Sequence, residues 1–187
     1  IDSRASVSNI SDIKQQYKIV FGEFQENYFS AADILIVSPG ISIKHPFIQT
    51  AIRQGKEVIG DVDLFCRLAD APILAITGSN GKSTVTTLVG EILNAANMDA
   101  KVGGNIGVPC LDLLDDDADC YVLELSSFQL ETTSHLKARA STILNLSEDH
   151  MDRYDSFSEY CAAKKQILNN SKSIIINIDD PLVAKLS

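Results

Sequence analysis

The stretch Gly78-Ser79-Asn80-Gly81-Lys82-Ser83-Thr84 gathers backbone amides, one ammonium and several hydroxyls into a single turn, a combination suited to holding phosphate groups. It follows the β-branched, apolar run Ile73–Thr77 and leads into a helical pattern, so the turn joins a strand to a helix whose N-terminal dipole would face an anion. Only Ser79 and Asn80 separate Gly78 from Gly81, which makes the turn two residues shorter than the common phosphate loop. The shortening leaves the physics intact, because the glycines still permit backbone that exposes amides. A purely structural turn would leave Lys82 unexplained, since a cation at a helix start opposes the dipole. Lys82 therefore reads as a phosphate ligand, and Ser83 as a hydroxyl that could reach a magnesium ion.

A magnesium-bound triphosphate needs further hard oxygen ligands. Glu124 interrupts the apolar run Tyr121-Val122-Leu123-Leu125 near the carboxyl end of an expected parallel strand, where open α/β sheets bind ligands. A carboxylate buried there is costly unless it meets a cation or donors, which favours a metal ligand over a satisfied core acid. The segment "NLSEDHMDRY", residues 145 to 154, places His150 between Asp149 and Asp152 after another strand. A lone histidine is more often structural, but this placement beside the loop's own sheet favours a ligand role.

These residues need a sheet to align them. Runs at Lys18–Phe21, Ile34–Val37, Glu57–Ile59, Ile73–Thr77, Cys120–Leu125, Ser141–Leu146 and Ser173–Ile178 read as strands, with helical spacing between most of them. That alternation implies the α/β class with a parallel sheet. The clearest helix follows the loop and carries Val85, Leu88, Val89, Ile92 and Leu93 on one apolar face. A second, from about Phe157 to Asn169, is capped by Asp155 or Ser156 and turns Tyr160, Ala163, Ile167 and Leu168 inward. A third is expected from Pro46 to Gln54, with Gly55 just past its end. The break "LADAPI", residues 68 to 73, marks a boundary between domains at 1–70 and 71–187. Both are expected to be incomplete, the first starting inside a domain at "IDSR" and the second stopping within the helix that follows "DDP".

The 187 residues, 45% of them hydrophobic, suffice for a packed core. With 16 basic and 25 acidic residues the net charge is −9, which argues against duplex nucleic acid as a partner. Cys66, Cys110, Cys120 and Cys161 form no C-x-x-C pair and read as reduced thiols. No apolar run has membrane-spanning length, so no membrane partner and a cytoplasmic location are expected. The acidic run "DLLDDDAD", residues 112 to 119, lacks the glycine and glutamate of a calcium loop and reads as a solvated turn.

In order, "TGSNGKST", "GGNIG", "ELSSFQLE", "EDHMDRY" and "YCAAK" resemble the Mur ligase family, and "SPGI" and "GDVDLF" match as well. "ELSSFQLE" with "EDHMDRY" points to its D-glutamate-adding branch. The resemblance implies a truncated Rossmann-like domain that binds the UDP-linked substrate, followed by part of a P-loop-type central ATPase domain. It implies an ATP-dependent amide ligase of peptidoglycan synthesis, a monomer that joins D-glutamate to UDP-N-acetylmuramoyl-L-alanine with ATP and two Mg2+ sites. By the same resemblance Gly78, Ser79, Asn80, Gly81, Lys82, Ser83 and Thr84 bind ATP, while Ser83 and Glu124 hold one magnesium. His150 and Lys164, the latter as a carbamylated lysine, serve the second. Lys82, Glu124, His150 and Lys164 form the catalytic set. Without the family, Lys164 is an exposed helix residue. Asp2, Ser3 and Arg4 match a uridine-facing segment, although a frayed terminus would explain them equally. Ser38, Pro39 and Gly40 match a pyrophosphate-side loop, and Asn105, Ser126 and Gln129 the muramoyl-alanyl side; as plain residues they read as turn and loop positions. The chain alone is expected to be inactive. Another Mur or folylpolyglutamate-type ligase, or a non-catalytic nucleotide-binding module, stays open on the residues.

Overall fold

The computed structural model describes residues 1–6, 13 and 16–186. They divide into two compact units, Ile1–Leu35 with Lys44–Val58, and Ile36–Ile43 with Ile59–Ser187.

In the first unit a backbone bridge joins Asp2 to Phe21, which is what the structure makes of the expected strand at Lys18–Phe21. Helix α1 (Glu26–Ser30) was not foreseen, and α2 (Pro46–Arg53) was, with Pro at its first turn and Gly55 beyond its end at φ 77°. His45 caps α2 through Nδ1, which accepts from the Phe47 amide. Its ring stacks on Phe29, and Phe24 meets Phe29 edge-on. Strands β1 (Ile34–Val37) and β2 (Glu57–Gly60) pair with each other.

The second unit holds helix α3 (Asp61–Leu68) and a five-stranded sheet. Its strands are β3 (Ile73–Thr77), β4 (Ala100–Gly104), β5 (Cys120–Glu124), β6 (Ala140–Ile143) and β7 (Ile174–Ile176). The order is β4-β5-β3-β6-β7 and every pairing is parallel. The α/β class and the parallel sheet expected from the sequence are therefore present. Strand β3 lies at the centre, with later strands laid down on both of its sides, so its carboxyl end opens onto the kind of crevice where such sheets bind ligands.

Side-chain alternation sorts the core onto two faces. Ile73, Ala75, Tyr121 and Leu123 point to one face with Phe65, Leu130, Ile143 and Ile167, whereas Ile76, Cys120 and Val122 point to the other with Val85, Val89 and Leu93. Helix α4 (Lys82–Ala95) covers the second face. Its packing differs from the expected apolar stripe: Thr86 and Gly90 are the buried positions, and Leu88 and Ile92 are exposed. The reason lies at Gly90, where a Cβ would stand 2.3 Å from Val102 Cγ2, so the helix approaches β4 through its smallest residue and rolls its leucine and isoleucine outward. On the other face run the single turn α5 (Ser127–Leu130) and helix α6 (Phe157–Lys165), which continues as a 3-10 turn to Leu168. Ser156 caps α6 by accepting from the Glu159 amide, and Tyr160, Ala163, Ile167 and Leu168 are buried as expected.

All four cysteines are free thiols, and burial pushes Cys66 and Cys110 up to about 12. Among the described residues no helix is long and apolar enough to cross a membrane.

Candidate nucleotide and metal site

The loop after β3 is held almost entirely by the segment after β6. Asn145 accepts from the Asn80 amide through Oδ1 at 2.8 Å and donates Nδ2 to the Asn80 carbonyl at 3.0 Å, while its own carbonyl takes the Ser79 amide. Ser79 Oγ meets the Ser147 amide and carbonyl, each at 2.9 Å, and the Tyr160 hydroxyl at 3.0 Å. Gly81, at φ 77°, adopts the left-handed backbone that starts α4, and no side chain among the described residues caps that helix. Its first amides are thus left to an anion. Lys82 folds back so that Nζ donates to the Ser79 carbonyl at 3.1 Å, and Ser83 and Thr84 sit exposed on the first turn.

Lys164 meets the loop from the opposite side. Thr77 has the parity of Ile73 and Ala75 and so faces α6, where Lys164 Nζ donates to Gly78 O at 2.9 Å, approaches Thr77 Oγ1 at 3.5 Å and lies 4.7 Å from the Tyr160 ring centroid. The residue is 2% exposed, against the solvated helix position its sequence suggests. Burial first, and then the charge of Lys82, lower its ammonium to about 8. The neighbouring Lys165 is exposed.

Register carries Glu124 to the same end of the sheet, paired with Ile76 on β3 and Gly104 on β4. It is 1% exposed; Oε1 accepts from Asn105 Nδ2 at 2.8 Å, and Oε2 is buried without a partner among the described residues. Asn105 is fixed in turn by its amide, which donates to the Glu124 carbonyl at 2.9 Å. The intervening Gly104 has φ 105°, and a Cβ there would lie 2.4 Å from that carbonyl oxygen. Because a buried carboxylate oxygen without a donor is costly, this corner fits a hard cation. Among the described residues no three His, Cys, Asp or Glu side chains form a group that could hold a metal ion by themselves.

His150 has φ 55°, a left-handed backbone rare outside glycine. Its ring is half exposed, with Nε2 3.5 Å from Asp149 Oδ2 and the ring centroid 4.9 Å from that of Phe128. Ser126 and Gln129 are engaged with each other in a capping box that starts α5. Ser38-Pro39-Gly40 forms the turn after β1, closed by the Ile41 amide on the Ser38 carbonyl. Asp2, Ser3 and Arg4 belong to the other compact unit, where Arg4 pairs with Asp2 and holds its carboxyl well below the usual range. The clamp residues Asn145 and Ser147 were not singled out from the sequence, although the polar run after β6 marked the region, and Tyr160 was read only as an inward-facing helix residue.

A strand, a glycine turn with a lysine, and a buried carboxylate on the adjacent strand define a nucleotide-binding α/β protein of the P-loop type. The Mur ligase middle domain model matches residues 76–187, and the Mur ligase MurD-like N-terminal domain model matches residues 1–60. The chain belongs to the Mur ligase family. It is 52% identical over 183 residues to the UDP-N-acetylmuramoylalanine--D-glutamate ligase of Escherichia coli (strain K12), and 51% identical to that of Salmonella typhi. In both cases the match covers 97% of this chain and 42% of the relative, so the chain spans less than half the length of these curated relatives. The fold is shared with a UDP-N-acetylmuramate:L-alanyl-gamma-D-glutamyl-meso-diaminopimelate ligase from Neisseria meningitides, with a TM-score of 0.61 at 15% identity over 99% of this chain and 65% of that one. It is shared as well with a pseudomurein peptide ligase type C from Methanothermus fervidus, with a TM-score of 0.53 at 23% identity over 97% and 39%.

Proposed function

We propose that this chain is the substrate-binding and ATP-binding part of a cytoplasmic, monomeric ligase that joins D-glutamate to UDP-N-acetylmuramoyl-L-alanine. In this reading residues 1–70 serve the UDP-linked substrate and 71–187 serve ATP. The observation that carries it is the buried Lys164 amine bonded to the carbonyl of Gly78, the first residue of the short loop. A phosphate loop alone has no use for a second lysine held beneath it at so low a pKa; a ligase that must gather anionic substrates does.

The reaction balances in two steps. A carboxylate oxygen of the alanyl group attacks the γ-phosphorus of ATP, the bond to ADP breaks, and an acyl phosphate forms. The amine of D-glutamate then attacks the acyl carbon, phosphate leaves, and the nitrogen gives up a proton. The protein's part is positioning and charge neutralisation. Lys82 and the open amides of α4 would hold the outer phosphates. Ser83 with Glu124, and His150 with Lys164, would hold the two magnesium ions, whose chemistry when bound is to neutralise phosphate and carboxylate oxygens. Lys164 suits its place because its neutral amine, favoured by burial, can add carbon dioxide and release a proton to give a carbamate. Asn105, Ser126 and Gln129 would face the muramoyl-alanyl group, Ser38-Pro39-Gly40 the pyrophosphate and Asp2-Ser3-Arg4 the uridine.

The test uses the full-length protein with UDP-N-acetylmuramoyl-L-alanine, ATP and magnesium, with phosphate release followed in the presence of D-glutamate, L-lysine or meso-diaminopimelate. Release with D-glutamate alone is expected. Release with another amino acid would keep the family and reject the branch, and no release with any would favour a folylpolyglutamate-type ligase or a non-catalytic module.

A further inference from the structure

The catalytic reading leaves Arg153 without a role, yet its side chain links segments far apart in the sequence. Its guanidinium carbon lies 4.0 Å from the centroid of the Phe128 ring. Nη2 donates to the Ile41 carbonyl at 3.3 Å, and Nε is buried without a partner among the described residues. The backbone amide of the same residue donates to the His150 carbonyl at 2.9 Å, closing the turn in which His150 takes its left-handed conformation. The Phe128 ring is shared as well, since Tyr154 stacks on it at 5.9 Å and His150 contacts it at 4.9 Å. One residue therefore joins three segments: the turn after β1, the start of α5 and the turn that carries His150.

We propose that Arg153 is a positioning residue that locks the His150 turn and the Ser38–Ile43 turn onto Phe128, and so sets the direction of the imidazole. A left-handed backbone at a non-glycine residue persists only where its surroundings over-determine it. The cation over the ring and the turn hydrogen bond supply that constraint from both sides of His150. Arginine is required, because a planar guanidinium can stack on a ring and donate sideways at once, which an ammonium cannot. The two stretches that carry the resemblance to the D-glutamate-adding branch, "ELSSFQLE" and "EDHMDRY", are thereby in physical contact through Phe128 and Arg153. The inference rests on the ligase reading only for the use to which His150 is put; the lock itself stands without it.

The experiment compares full-length wild type with Arg153→Met, Arg153→Lys, Phe128→Leu and the Arg153→Met/Phe128→Leu double variant. Amide hydrogen exchange, without substrates, is expected to accelerate together in segments 38–43 and 148–153, by about tenfold for Arg153→Met. Exchange across β3 and β5 should stay unchanged. In phosphate release the magnesium concentration for half-maximal rate is expected to rise about tenfold, as for the loss of an outer partner of a metal ligand, with the KM for ATP unaltered. Phe128→Leu should act in the same direction, and the double variant should add little to either. Unchanged exchange, a uniform rise across the whole domain, restoration by lysine, or simple additivity would each overturn the lock. An inactive wild type would reject the ligase reading, while the exchange pattern would still decide this one.

Discussion

Two corners at the same end of the sheet are built in opposite ways. The loop after β3 is finished without a ligand: Asn145 takes both the amide and the carbonyl of Asn80, Ser79 is fixed through Ser147 and Tyr160, and each lysine beside it rests on a loop carbonyl. The corner at Glu124 and His150 is unfinished, with a buried carboxylate oxygen that has no partner among the described residues and an imidazole on left-handed backbone. The loop is thus tied by hydrogen bonds on both of its faces, whereas the corner beside it leaves one buried carboxylate oxygen unmatched among the described residues. Sites that store such cost usually repay it in binding.

The sharpest way to break this contrast is to remove the loop's own lysine. Lys82→Ala should lower phosphate release by the full-length protein about 100- to 1,000-fold, the usual cost of one pre-positioned donor. Its melting temperature should stay near that of wild type, because Lys82 contributes a single bond to the loop. Loss of fold instead of rate would show that the cradle depends on its lysine.

The next effect is set by Lys164, which faces Lys82, Asp149, Cys161 and Glu124. Its folded-state value of about 8 lies below the ordinary lysine value of 10.5. Below pH 8 the amine is charged in both folded and unfolded chains and the cost of burial is fully present. Between about 8 and 10.5 only the unfolded chain keeps the proton, so stability rises with pH across that window. Lys164→Met should remove the rise and stabilise the ligand-free protein near neutral pH by on the order of 3 kcal/mol, while abolishing ligation. Denaturant unfolding at pH 7 and pH 10 measures both; a parallel pH response in the two proteins would refute the burial argument.

Smaller, and opposite in sign, are the two substitutions that compare the corners directly. Asn145→Ala should cost about 1 kcal/mol, because it removes two hydrogen bonds to the exposed Asn80 that water replaces in part. Glu124→Gln should stabilise the ligand-free protein by about 1 kcal/mol by removing a buried charge, and should weaken magnesium-dependent turnover. Thermal melts without metal decide the pair: equal signs would mean that the two corners are not built differently after all.

The sequence disclosed parts of both corners. The glycines, the lysine and the strand before them announce a phosphate loop because each residue breaks a local rule there. Glu124 was legible for the same reason, as an acid inside an apolar run. Lys164 was not, since Lys164 and Lys165 are the same residue type and only the third dimension decides which of them is buried. Strand β4 escaped notice because "AKVGG" carries two glycines and no run of β-branched residues, and α3 because eight residues with an acidic first turn give too short a period. The apolar face of α4 was read one step out of phase, because a glycine in contact weighs nothing in a hydrophobic pattern but lets two backbones approach.

Gly104 limits what this site can become. Left-handed backbone and a carbonyl 2.4 Å from where a Cβ would stand close the position to all other side chains, whereas Gly107, at φ 60° with nothing within 4 Å, leaves room for asparagine. A library that randomises residues 103 to 107 under selection for growth should return glycine alone at 104 and a mixture at 107. A compound that leans on the backbone beside Gly104 and Glu124 would therefore meet a surface that the protein cannot redraw by point mutation at that residue.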